Sequence, residues 1–114
     1  MAVTGCAFEP ENDTPFSPPP GYHEIWAAAQ ACTGRRGDFN DLRFFTVPGW
    51  SFDTPNGPAA ATTAGHNIYI AEHWIANRMV VKHEMIHALG IHGHPYHPFV
   101  EPCHATWDSA KEDE

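Results

Sequence analysis

A chain of 114 residues carrying 11 prolines and 9 glycines has room for one small domain with a single core and much irregular structure. Its formal charge of −8, with Arg35-Arg36 as the sole basic pair, argues against a nucleic-acid partner. No run of about eighteen apolar residues is present, so no membrane-spanning helix is expected.

Residues 1–20 form a Pro-rich lead-in, with Pro10, Pro15 and Pro18-Pro19-Pro20. It reads as an extended tether or strap that Phe8 and Phe16 can anchor. Val3-Thr4-Gly5-Cys6 resembles the lipobox of bacterial lipoproteins and so suggests a lipid anchor on Cys6; the alternative is a free or differently paired thiol. From Tyr22 to Cys32 the pattern YHEIWAAAQAC predicts a helix on which Ile25, Trp26, Ala29 and the pair Tyr22/Cys32 share a buried face, closed by Thr33-Gly34. Asp41–Val47 predicts a strand ended by Pro48-Gly49, with Leu42 and Phe44 on one face and Phe45 and Val47 on the other. Trp50-Ser51-Phe52 is a weaker strand candidate. Thr54–Ala64, rich in Pro, Gly, Ala and Thr, reads as a loop or flap. His66–Glu72 predicts a second strong strand in which Ile68 and Ile70 share a face, flanked by His66 and His73, which can reach the cleft but are favoured as surface histidines.

Asn77 is a suitable N-cap for a helix running through Val80–Leu89 and stopped by Gly90. Within it lies His83-Glu84-Met85-Ile86-His87. Residues four apart share one helix face, so His83 and His87 can offer two imidazoles to one metal ion. Glu84, about 100° around the helix, is free to act on a water beside that ion. Two nitrogen ligands and a carboxylate base are what a Zn2+ hydrolase requires. A third ligand is expected from Ile91–Pro98. His94 is favoured, because Gly90 and Gly93 let the chain turn back and Pro95 biases His94 towards an extended conformation. His92, His97 and an acidic residue stay open as alternatives. Tyr96 is a candidate hydrogen-bond donor to a developing oxyanion, against simple packing. Phe99 is expected to anchor this loop. Cys32 and Cys103, each at the end of an apparent structural segment, are expected to pair and tie the metal loop to the first helix. Residues 108–114 form an acidic tail expected to fray.

HEMIHALGIHGH resembles the active-site helix of the zincin metallopeptidases. His83, Glu84, His87 and Gly90 match the metzincin pattern HExxHxxGxxH, but the third-ligand position falls on Gly93 and no methionine follows Met85 to form a Met-turn. The chain is closer to small bacterial zincin-like proteins with HEMLH, then GHP, then Phe and Cys, whose counterparts here are His83–His87, Gly93-His94-Pro95, Phe99 and Cys103. The resemblance implies an α+β domain over residues 21–107, with residues 22–32 as a backing helix, a small, mainly antiparallel sheet, and the HExxH helix. It gives residues 67–71 as the cleft's rim strand, binding an extended substrate through its backbone, as an exposed strand edge can. The function implied is zinc-dependent peptide hydrolysis by a metal-activated water, with a peptide or protein substrate, in an exported bacterial protein expected to be monomeric. The competing reading is a non-catalytic zinc-binding protein using the site for folding, storage or partner recognition. A cleft completed by a neighbouring chain is a third.

Overall fold

In the computed structural model, which describes residues 9–106, two helices pack on one face of a four-stranded mixed sheet. The expected α+β class is observed. Cys6, Phe8 and the acidic tail 108–114 lie outside the described residues.

The first helix, α1 (Gly21–Thr33), buries Tyr22, Ile25, Trp26 and Ala29, the stripe expected of a 3.6-residue period. It ends where Gly34 takes a left-handed φ of 73° and donates its N–H to the Gln30 carbonyl. The sheet order is β1 (Thr14–Pro15), β2 (Arg43–Val47), β6 (Asn67–Ala71), β5 (Ala61–Ala64). Its central pairing, β2 with β6, is parallel, and the two outer pairings are antiparallel. A separate hairpin joins β3 (Phe52–Thr54) to β4 (Gly57–Ala59). Alternation along the strands sends Phe44, Ile68 and Ile70 into the main core with the helices. Val47, Tyr69 and Ala71 go to a smaller cluster with Phe52 on the other side.

One expectation is extended and two are corrected. The lead-in is more than a strap, because Thr14–Pro15 pairs with β2 and Phe16 donates its N–H to the Phe44 carbonyl while packing on Tyr22 and Phe44. The stretch read as a flap, residues 54–64, is mostly strand. Its small residues carry low β-propensity, but pairing and packing decide the outcome. Thr54 turns the hairpin by donating to the Gly57 carbonyl and accepting from the Asn56 N–H, while Gly57 supplies a φ of 106°. The rim is corrected with it. β6 lies between β2 and β5, so the outer strand beside the metal helix is β5 rather than residues 67–71.

The HExxH helix, α2 (Arg78–Ala88), begins at Asn77, whose side chain accepts from the Val80 N–H at 3.0 Å. Met79, Val80, Val81, Met85 and Ile86 are buried against α1 and the sheet. Gly90 then takes a φ of 91° and donates its N–H to the His87 carbonyl, and Arg35 donates to the Leu89 carbonyl at this end. The disulfide Cys32–Cys103 joins the end of α1 to the segment beyond the histidine loop, across 71 residues of sequence. No helix among the described residues is long and apolar enough to cross a membrane.

Candidate metal centre

Helix α2 presents His83 and His87 one turn apart, and the loop beyond Gly90 brings His94 to them. One ligand atom from each of the three lies within 4.8 Å of the others, close enough to hold one metal ion. The imidazoles are oriented from behind. His83 Nδ1 lies 2.8 Å from the Ala105 carbonyl and His87 Nδ1 lies 2.8 Å from the Ile91 carbonyl. A carbonyl only accepts, so each Nδ1 must carry the proton, which leaves Nε2 with its lone pair free for a cation. The buried Phe99 ring closes the floor, with centroids 4.7, 4.9 and 5.3 Å from those of His83, His87 and His94. Three imidazole nitrogens are a donor set that suits a transition-metal ion such as zinc, copper, nickel or iron, and the two oriented imidazoles meet the usual outer-shell requirement.

Burial tunes the site before any ion arrives. It pushes His83 down to about 4, the Ala105 carbonyl acting in the opposite direction, and it also lowers His87, with the Ile91 carbonyl opposing. Between that value and 6.5 the folded, metal-free protein holds fewer protons at His83 than the unfolded chain does. The stability linked to His83 is therefore present above that window and lost as pH falls through it. The same shift affects metal uptake, since an ordinary imidazole loses about tenfold in availability one unit below its pKa. Zinc affinity is expected to fall between about pH 7.5 and about pH 5.5 by some tenfold less than three ordinary imidazoles would give. Competition titration against a chelator at the two pH values measures this, and a full three-proton loss would contradict the effect of burial on His83.

Glu84 is 6 % exposed, and that burial pushes its carboxyl up to about 7, against the lowering effect of a Thr63 hydrogen bond. Thr63, from β5, donates to Oε1 at 2.8 Å, with the helix carbonyl of Glu84 3.1 Å away. Glu84, His83 and His94 sit where two lobes of one cleft meet. One lobe, about 390 Å³, is walled by Ala60, Met79, Val80, Phe99 and Val100. The other, about 650 Å³, is lined by more polar groups including Asn56, Thr62, His66 and His92.

Of the residues singled out from sequence, His83, Glu84, His87 and His94 come together. His92 is exposed and lines the polar lobe, as does His66. His97 is exposed and absent from both lobes, and so is Tyr96, at 64 % exposure; the oxyanion role for Tyr96 finds no geometric support. Sequence reasoning missed Thr63, because the segment containing it read as a loop. It also missed the Ala105 and Ile91 carbonyls, which no side-chain pattern can announce. No family model matches the chain, nor does any curated protein or solved structure.

Proposed function

We propose that this protein is a zinc-dependent peptidase of HExxH type, holding zinc through His83, His87 and His94 and using Glu84 as the general base. The observation that carries this reading is the convergence of three imidazoles with the buried carboxylate of Glu84 beside them, His83, Glu84 and His94 lining both lobes of the cleft. When bound, zinc polarises the scissile carbonyl and lowers the proton affinity of a water. Glu84 takes the proton of the attacking water and passes it to the leaving amine. Its burial raises its basicity towards neutral pH, where a base is most effective, and Thr63 fixes the orientation of the carboxylate. Substrate is proposed to lie along β5. Ala60 gives its carbonyl to the Ala71 N–H, so alternation turns the main-chain groups of Ala61 and Thr63 to the outer edge, where an extended peptide can add as a strand. Export to an oxidising compartment is proposed from the disulfide.

The test is digestion of a mixed peptide library by the zinc-loaded protein, with new termini read by mass spectrometry. Cleavage is expected to stop on chelation and return with zinc. A protein that binds zinc yet cleaves no peptide would turn the reading to a non-catalytic zinc site; one that binds none would dismiss the centre.

A further inference from the structure

Behind the imidazoles runs a segment that belongs to neither α2 nor the histidine loop. It contains Phe99, whose ring packs on all three imidazoles, and Ala105, whose carbonyl fixes the His83 tautomer. Both are buried, at 1 % and 0 % exposure. The segment is folded on itself by Cys103 N–H to the Pro98 carbonyl (3.0 Å), His104 N–H to Val100 (3.2 Å) and Ala105 N–H to Phe99 (2.8 Å). Between its two site-facing residues stands Cys103, itself 1 % exposed and bonded to Cys32 on α1.

We infer that the Cys32–Cys103 disulfide is a positioning element of the metal centre, holding the Phe99–Ala105 segment against the imidazoles so that metal affinity and disulfide integrity support each other. The inference rests on the metal-centre reading above. Its physical basis is a division of labour. Helix α2 is held by its own apolar face against α1 and the sheet, through Val81, Met85 and Ile86, and does not need the cross-link to stay in place. The segment has one covalent attachment to α1, and with it the floor of the site and the His83 acceptor are confined. Without it the same groups must be ordered when metal binds, and affinity falls by that cost. Coupling of this kind is reciprocal at equilibrium, so bound metal must make the segment open less often, and the buried Cys103 is reached by a reductant only when it opens.

Two measurements test this. In the first, zinc affinity is determined by competition with a chromophoric chelator for the Cys6→Ser protein and for the same protein carrying Cys32→Ala/Cys103→Ala, the latter leaving no thiol to bind zinc in place of the imidazoles. Affinity is expected to drop about 10–100-fold, the range of outer-shell losses, with helical circular dichroism retained. Unchanged affinity in the variant overturns the inference. The second uses the wild-type sequence and decides the matter even where the variant does not fold. A water-soluble phosphine cleaves the disulfide, taking its oxygen from water to become the phosphine oxide while the two sulfurs leave as thiols. Cleavage is expected to be several-fold slower in zinc-saturated protein than in metal-free protein, and His94→Ala is expected to abolish the difference. Equal rates in the wild type overturn the inference. A wild type that binds no zinc dismisses the underlying metal centre, an outcome distinct from both.

Discussion

Glutamine in place of Glu84 is expected to lower peptide hydrolysis by about 10²–10⁴-fold, the usual contribution of a positioned general base, while zinc content stays unchanged. Gln keeps the shape of Glu and an oxygen for the Thr63 hydroxyl, so the loss isolates proton transfer from packing. The same substitution is expected to stabilise the metal-free protein. Burial raises the Glu84 carboxyl from 4.5 to about 7, so between those values the folded state binds more protons there than the unfolded chain. Stability must then fall as pH rises through that window, with the full penalty present above it. Removing the charge recovers up to about 3 kcal/mol above pH 7 and close to nothing below pH 4.5. Urea unfolding of both metal-free proteins across that range reads the difference. Retained activity in the variant would remove Glu84 from the mechanism; equal stability at every pH would mean that the carboxylate is solvated.

The second large effect belongs to His94. Its replacement by alanine is expected to weaken zinc binding by more than about 100-fold, beyond the range that outer-shell mutations cost. The metal-free fold should be untouched to within about 0.5 kcal/mol, because His94 is an exposed loop residue. His92→Ala and His97→Ala are expected to change affinity by no more than about threefold, since the described geometry groups neither with the three clustered imidazoles. Chelator competition on the three variants, with a melt of each metal-free protein, separates ligand loss from misfolding. A large loss at His92 or His97 with none at His94 would relocate the third ligand.

Legibility in the sequence followed the range of the interactions involved. The α2 helix was readable because its cap, its apolar positions and its glycine stop are local, and two ligands on one helical face need no tertiary information. Strands β2 and β6 were readable for the same reason, from Phe44, Phe45, Ile68 and Ile70. The Cys32–Cys103 pairing was inferred from where the two cysteines fall relative to the segments around them, and the structure joins them. Strand β5 was not readable. Ala61–Ala64 is too short, and its β-branched pair Thr62-Thr63 too closely framed by alanines, to read as a strand; it is one because Ile68 and Ile70 give it a partner and because small side chains let α2 lie close beside it. With β5 misread, Thr63 and the true rim were lost together. The parallel pairing of β2 and β6 was equally hidden, since nothing in two isolated strands states their relative direction.

That parallel pairing shapes how the cleft can change. β2 and β6 are neighbours in the sheet, yet the chain leaves one and returns to the other through everything between Val47 and Asn67, including the hairpin and β5. One wall of the cleft is thus an excursion from the scaffold, while the clustered histidines and Glu84 sit on α2 and the loop after it. The turn from Thr54 to Gly57 borders the polar lobe and carries no ligand. Lengthening such a turn costs little in closure entropy, only about 0.6 kcal/mol for each doubling. Under the proposed function, binding preference can thus be revised by insertion at the turn from Thr54 to Gly57, provided β5 keeps Thr63 on the Glu84 carboxylate.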